Sequence, residues 1–404
     1  MLHRRTLLAR VAAASAAFVG LRTLGGCGAT NAAWCDDGAA ATGQRIVVVG
    51  AGVAGLTAAR MLHQSGRDVV VVDARDRLGG RIVTADVGGT PIDLGAAWVH
   101  GPRRNPVAAA CEAAGVALRG DDADYDRWWS AVDGLLPAAR LRWLEDEAEA
   151  FLDALPRVRR ALPDDASYAD AVAWWVDDDA FSAADRRQVA LMLLLVNDLD
   201  YGGPSALTGL ATFWEEEEFA GGDALPAGGF GGLIAWLARD LDIRLAEVVT
   251  AVRDVGGAVE IVTSAATHVA DAVLLTVPLG VLKAGAIAFE PPLPTDKLAA
   301  IARLDMGNLE KVVLRFDAAF WGEALAGGWS VHDGAPRDGI TAPFPGIRDF
   351  SDALGAPTIV VFNGGEASRA LNDALSDDAL VEGALKALGD LVGVTPPPPI
   401  ATAV

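Results

Sequence analysis

At 404 residues, with 52% of them hydrophobic, the chain exceeds the ~100 to 200 residues of one ordinary core and holds enough apolar material for two lobes. A net charge of -21 excludes a nucleic-acid binder and leaves two meanings open, attraction of cationic ligands or plain solubility. Three cysteines, Cys27, Cys35 and Cys111, exclude a disulfide framework, and no Cys/His cluster has metal-ligand spacing, so no metal is expected and the chemistry must come from an organic cofactor or from side chains alone.

Residues 1–43 read as an export signal followed by a linker. His3-Arg4-Arg5-Thr6-Leu7-Leu8 precedes an uncharged stretch over 11–21 that is too short to span a bilayer, which takes ~20 helical residues. A basic start, a short apolar stretch and a small-residue exit resemble a secretory signal of the twin-arginine kind, which implies a folded, exported protein of the periplasm or exterior. Leu24-Gly25-Gly26-Cys27 resembles a bacterial lipoprotein cleavage box, with Cys27 as the lipid anchor. A featureless start with a chance Arg pair is the alternative.

The run 44–49 is continuously apolar after Arg45, as a buried parallel strand is. It enters Gly50-Ala51-Gly52-Val53-Ala54-Gly55, a helical stretch follows to Gly66, and a second apolar run over 68–72 ends at Asp73. This is the opening of a dinucleotide-binding unit. Gly50 permits the tight turn, Gly52 and Ala54 leave the backbone open to a pyrophosphate, Gly55 with Ala59 lets helix pack on strand, and Asp73 is placed to accept from ribose hydroxyls.

From about 118 to 219 the spacing is helical and rich in Trp, Leu and Ala, which predicts a helical insertion. Strand-like runs return at 243–245, 259–262, 272–277, 311–316 and 358–362. The acidic run 215–218 reads as a solvated helix face, with substrate attraction as the lesser reading.

Asp73-Ala74-Arg75-Asp76-Arg77-Leu78-Gly79-Gly80-Arg81 resembles the extended FAD signature of the large flavoprotein oxidases, which implies FAD contacts from Arg75, Gly80 and Arg81. Further on, Leu94-Gly95-Ala96-Ala97-Trp98-Val99-His100-Gly101 and the run Thr276-Val277-Pro278-Leu279-Gly280-Val281-Leu282-Lys283 resemble the flavin-containing amine oxidase family. Gly307-Asn308-Leu309-Glu310-Lys311-Val312-Val313-Leu314-Arg315-Phe316-Asp317 does so as well, and the polyamine oxidase and lysine-specific histone demethylase-like branch is the nearest.

The resemblance implies that Lys311 is the lysine reaching flavin N5 through a water and that His100 faces the substrate cavity. It also implies that Ala97 and Trp98 pass the flavin ring, that Val249 gives adenine a backbone contact, and that Gly228 and Gly229 approach the cofactor. The activity implied is hydride transfer from a primary or secondary amine to FAD, then release of aldehyde and hydrogen peroxide, with a small amine and dioxygen as partners. An aromatic-walled cavity suits it, because desolvation favours the neutral amine; Trp98, Trp128, Trp129, Trp174, Trp175, Phe213 and Trp214 are candidate walls.

The expected fold is α/β, an FAD-binding Rossmann-like domain interleaved with an α+β substrate-binding domain. The FAD domain is expected over 44–117 and again over 226–288; the substrate domain takes a helical stretch, 118–225, and a sheet stretch, 289–404. Two departures stand out. Asp73 replaces the usual Glu, and the family's last FAD segment would lie beyond Val404, which makes an inactive remnant one alternative and an L-amino acid oxidase another. No carboxylate clamp for the latter is evident.

Overall fold

The structure, a computed structural model, describes residues 43–121, 125–213, 219–325, 328–334 and 344–404. The expected signal, Cys27, Cys35, Trp214 and the acidic run 215–218 lie outside the described residues.

The chain opens with β1 (Arg45–Val49), α1 (Val53–Gln64) and β2 (Asp68–Val72), followed by the hairpin β3 (Thr84–Val87) and β4 (Thr90–Asp93). Next come β5 (Val99–His100), α2 (Pro106–Ala113), β6 (Leu118–Gly120), β7 (Tyr125–Ser130) and β8 (Gly134–Leu135). Three helices follow, α3 (Ala138–Ala161), α4 (Tyr168–Val176) and α5 (Ala183–Asp200); the last two start at capping boxes, Ser167 with Asp170 and Ser182 with Asp185. The second passage through the first lobe runs β9 (Asp223–Pro226), α6 (Gly231–Ala238), β10 (Asp242–Arg244), β11 (Val249–Asp254), β12 (Val259–Thr263), β13 (Thr267–Ala270), β14 (Ala272–Leu275), α7 (Leu279–Lys283) and β15 (Ala288–Glu290). The rest comprises α8 (Thr295–Arg303), β16 (Leu309–Arg315), β17 (Trp329–Asp333), β18 (Gly346–Asp349), α9 (Ser351–Leu354), β19 (Thr358–Gly364), α10 (Gly365–Ala374), α11 (Asp377–Val392) and β20 (Ala401–Ala403).

The first lobe is a four-stranded parallel sheet in the order β10-β2-β1-β14. Side-chain alternation decides what covers it. Ile46, Val48, Val69 and Val71 pack against Leu56 and Ala59 of α1 and Leu233 and Leu237 of α6. Val47, Val49, Val70 and Val72 face the second sheet, β13-β12-β11-β15, through Val249, Val252 and Ile261. Burial on both faces is why these strands read as unbroken apolar runs.

The second lobe is a seven-stranded sheet ordered β20-β16-β19-β18-β17-β7-β8. Helices α3 to α5 form a core with Trp128 of β7, while α10 and α11 cover β16 and β19 through Leu371, Leu380 and Leu388. The segment expected to be wholly helical from 118 therefore begins with three strands, β6 to β8, and turns helical only at Ala138. Trp128, Trp129 and Leu135 alternate in and out of a sheet, and over so few residues that pattern is not separable from helical spacing. A small three-stranded sheet is ordered β5-β9-β6.

Candidate functional site

The loop after β1 is shaped by what a Cβ would strike. Gly50 has φ +114°, and a side chain there would meet the Thr276 hydroxyl, which itself donates to the carbonyl of Val49 at 2.9 Å. At Gly55 a Cβ would lie 1.9 Å from the Gly50 carbonyl oxygen, so only glycine lets α1 approach β1 this closely. A second glycine turn closes on the first: Gly79 N–H donates to Ala51 O at 2.9 Å, and Gly80, at φ +60°, stands with its missing Cβ 3.2 Å from Gly52 Cα. Arg77 pins that turn by donating to the carbonyls of Leu78 and Gly80 at 3.2 and 3.0 Å. Ala54 sits exposed on the first turn of α1, whose N-cap, Gly52, offers no side-chain cap.

Asp73 ties this loop together. Its carboxylate accepts from Ala51 N–H at 2.6 Å and Arg75 N–H at 2.8 Å. The carbonyls of Asp73 and Arg75 receive Glu247 N–H and Ala246 N–H at 2.9 and 2.7 Å, which brings the turn before buried Val249 alongside. Glu247 is held by Thr263 and His268, each at 2.6 Å. The side chains of Arg75 and Arg81 are exposed.

Across the lobe boundary, Lys311 of β16 is 8% exposed. Its ammonium donates to the carbonyls of Asp93, at 3.0 Å, and Gly95, and stands 5.3 Å from the centre of the Trp98 ring. Burial lowers its pKa to about 8, an effect the Asp93 carboxylate partly offsets. Asp93 is itself raised by burial, against bonds from Thr84 and from Phe230 N–H at the start of α6 and against the charge of Lys311. Lys311, Asp93, Ala97, Gly228, Gly229, Leu225, Phe350 and Phe362 are among the residues lining a cavity of about 140 Å³. Gly228 and Gly229 have φ +77° and +80°, and a Cβ on Gly229 would strike Thr84 and Asp93, so this turn needs glycine.

Behind the cavity Trp98 stacks on Trp329 at 6.2 Å and tilts against Phe350 and Phe362 at 5.7 and 5.9 Å. Its indole N–H donates to Asp121 Oδ2 at 2.6 Å, while Asp121 Oδ1 receives Arg348 at 2.6 Å, a pair with side chains 8% and 4% exposed. The Arg348 guanidinium also lies over Phe350 and Trp329, at 4.9 and 5.4 Å.

The structure thus gathers Gly50, Gly52, Ala54, Gly55, Asp73 and Gly80 around one helix N-terminus, and Lys311 and Ala97 on one cavity, with Trp98 outside its lining but against Lys311. It parts His100 from that cavity's lining. Val99 takes the buried position of β5, alternation sends His100 to the open side, and its imidazole, 73% exposed, meets Asp223 Oδ1 at 2.9 Å. Of the other candidate walls, Trp128 is core, Trp129 stacks on His332, Trp175 meets Phe151 edge-on, Phe213 tilts against Tyr168, and Trp174 is exposed. Asp93, Thr84, Arg77, Asp121 and Arg348 were not given roles from sequence; Arg77, inside the Asp73-to-Arg81 motif, and Asp93, one residue before the Leu94-Gly95-Ala96 motif, carried a signal. No cluster suited to a metal occurs among the described residues.

These residues fit FAD. An uncapped helix N-terminus behind two facing glycine turns is a diphosphate site, and a buried lysine beside two further glycines is placed for a planar ring. The family described as flavin containing amine oxidoreductase matches residues 53–404, and that described as pyridine nucleotide-disulphide oxidoreductase matches residues 5–90. Probable polyamine oxidase 4 of Arabidopsis thaliana is 35% identical over 291 residues, covering 68% of this chain and 59% of its own length. Lysine-specific histone demethylase 1B of Mus musculus is 34% identical, covering 70% of this chain and 36% of its own length. The chain spans about three fifths of the length of the polyamine oxidases it matches. A redesigned putrescine oxidase shares the fold at a TM-score of 0.70 and 20% identity, with 89% of this chain and 84% of that one covered. With an FAD-binding α/β lobe joined to an α+β lobe, the chain belongs to the flavin containing amine oxidoreductase family, whose cofactor is FAD.

Proposed function

We propose that the chain oxidises a primary or secondary amine of the polyamine class in an FAD-dependent reaction. The observation that carries this reading is Lys311, a buried amine lowered to about 8 that lies between the glycine-lined cavity and an aromatic wall. FAD, when bound, would supply the two-electron acceptor for hydride loss from the carbon beside nitrogen, so that water could hydrolyse the resulting imine to an aldehyde and dioxygen could take up the two electrons with two protons as hydrogen peroxide.

The chain's own residues do the rest. Gly50, Gly52, Ala54 and Gly80 leave backbone amides open to the diphosphate, and Asp73 holds the loop in that shape. Arg75, Arg81 and Val249 border the adenosine end, and Ala97 and Trp98 the ring end. Phe350, Phe362 and Trp98 lower the polarity around a bound ammonium and so favour the neutral amine. Lys311, lowered by burial to about 8, can give and take a proton at Nζ more readily than an exposed lysine. The polyamine oxidases among the relatives support the substrate class.

The division into an FAD domain at 44–117 and 226–288 and a substrate domain at 118–225 and 289–404 belongs to the same reading. So does export, supported by Arg4-Arg5 and the apolar stretch after them, with lipidation at Cys27. Incubating FAD-loaded protein with spermidine should yield peroxide and aldehyde in equal amounts; aldehyde and peroxide both missing with every amine tried would refute the proposal. Peptide mass spectrometry of membrane-fraction protein should show a diacylated N-terminal Cys27, and an unmodified Met1 start in that fraction would refute the lipid anchor.

A further inference from the structure

Asp93, at the end of β4, joins two segments that are far apart in sequence. Its carboxylate meets the start of α6, 137 residues later, and its carbonyl meets Lys311, 218 residues later. Phe230 N–H donates to both carboxylate oxygens, at 3.1 and 3.0 Å, and the Thr84 hydroxyl donates to one of them while accepting from Gly231 N–H at 2.8 Å. The N-cap residue of α6, Phe230, offers no side-chain cap, so Asp93 and Thr84 supply it together. Every one of these partners of Asp93 is a donor, which suits the ionised carboxylate against the burial that opposes it. The same two side chains occupy the space into which a Cβ on Gly229 would project, so Asp93 also fixes the turn Gly228–Gly229, which lines the cavity with it.

At Lys311 the number of hydrogens decides what Nζ can do. An ammonium carries three and a neutral amine two. The carbonyls of Asp93 and Gly95 take two in either form. The remaining tetrahedral position is a hydrogen when the lysine is charged and a lone pair when it is neutral, and it is left for the occupant of the cavity that Lys311 lines. The group passes from donor to acceptor without moving. Asp93 is the charge that biases this choice. Glu310, its neighbour on β16 and so on the opposite face, is bonded to Asn363 at 3.0 Å. Strand β19, which pairs with Lys311 through Phe362, helix α6 and the segment 94–98 hold no charged residue. Asp86 of β3 is exposed and takes the Gly89 amide at 3.0 Å, and Arg119, which also lines the cavity, is tied to the Ala353 carbonyl at 3.0 Å.

We propose that Asp93 is a positioning residue for proton transfer at Lys311: its carboxylate clamps the turn Gly228–Gly229, its carbonyl holds Nζ, and its negative charge favours a hydrogen over a lone pair at the remaining position. The ammonium gives that hydrogen, as a proton, to a basic atom of the cavity's occupant, and the neutral amine left behind takes a proton back from water. This rests on the reading of Lys311 as the residue that handles protons in amine oxidation.

The test is an NMR titration of lysine labelled isotopically at Cε. Lys283, Lys297, Lys311 and Lys386 are the chain's lysines, so the signals are few, and Lys311→Met identifies the one of interest. In the full chain, before and after FAD is added, the Lys311 signal is followed against pH, and before FAD the wild type should show a midpoint at about 8. Asp93→Asn keeps acceptors for Phe230 and Thr84 but removes the charge; the midpoint should fall by about one pH unit while the other lysines stay in place. Thr84→Val disturbs the same helix cap and keeps the charge, so its midpoint should match the wild type. The pH profile of flavin reoxidation in the FAD-loaded chain should move with the Lys311 midpoint. A midpoint unmoved in Asp93→Asn, or moved as far in Thr84→Val, overturns the proposal and leaves Asp93 a helix cap alone. Should Asp93→Asn not fold, Asp93→Ser takes its place, and a wild-type midpoint at ~10.4, the value of an exposed lysine, overturns it without any variant. A midpoint displaced in Asp93→Asn with no bleaching of the flavin by any amine would sink the oxidase reading and leave this assignment standing; bleaching with an unmoved midpoint would do the reverse.

Discussion

The cofactor cradle and the cavity wall are built by opposite means. Around Gly50, Gly55 and Gly80 the working groups are backbone amides, and side chains matter chiefly by being missing. Around Lys311 the working groups are side chains from segments far apart in sequence, and what matters is that each buried charge has its partner: Lys311 has Asp93, and Arg348 has Asp121. The first region should fail by steric overlap, the second by loss of charge compensation.

The comparison breaks most visibly at Arg348. Arg348→Met leaves Asp121 buried with the indole as its remaining partner, and denaturant unfolding should show a loss of about 3–5 kcal/mol. Changing both residues, Arg348→Met with Asp121→Asn, should recover more than half of it. If the single variant is as stable as the wild type, charge compensation does not hold this wall together.

Next in size is Lys311→Met, which should slow reoxidation of the reduced flavin by dioxygen roughly 100-fold, the usual worth of a positioned proton-transfer group. FAD retention should be unchanged, and an unaltered reoxidation rate in stopped-flow would remove Lys311 from the chemistry. On the other side of the comparison, Gly55→Ala places a methyl group on the Gly50 carbonyl and should cost about 1–3 kcal/mol, with FAD lost on gel filtration. Retained FAD at wild-type stability would show that α1 and β1 are not locked by that contact.

The smallest effect is a pH dependence. Since burial lowers Lys311 to about 8, the folded chain gives up that proton before the unfolded chain does, so from pH 8 to about 10 the unfolded state binds more protons and stability rises with pH. The slope from this one group is at most about 1.4 kcal/mol per pH unit. It should be the difference between wild type and Lys311→Met in unfolding series; parallel series would contradict it.

The cradle was legible in sequence because its components are contiguous: strand, glycine turn, helix and acid fall within 45–73, and burial on both faces makes the strands plain. Lys311 was legible only through its neighbours, since its burial depends on Asp93 and Gly95, more than 200 residues earlier. The Trp98–Asp121–Arg348 group had no local signature at all: 227 residues separate Asp121 from Arg348, and the pair exists only because β18 joins the large sheet beside β19. His100 was recognised by motif, but its exposed direction was not legible, because it is set by Val99 burying beneath β9.

The most direct test of the account is an anaerobic titration of the FAD-loaded chain with spermidine, followed by the visible flavin absorbance. The account predicts that the band bleaches and returns when oxygen is admitted. A flavin that stays oxidised with spermidine and with every other amine offered, or a folded chain that holds no flavin at all, would contradict it.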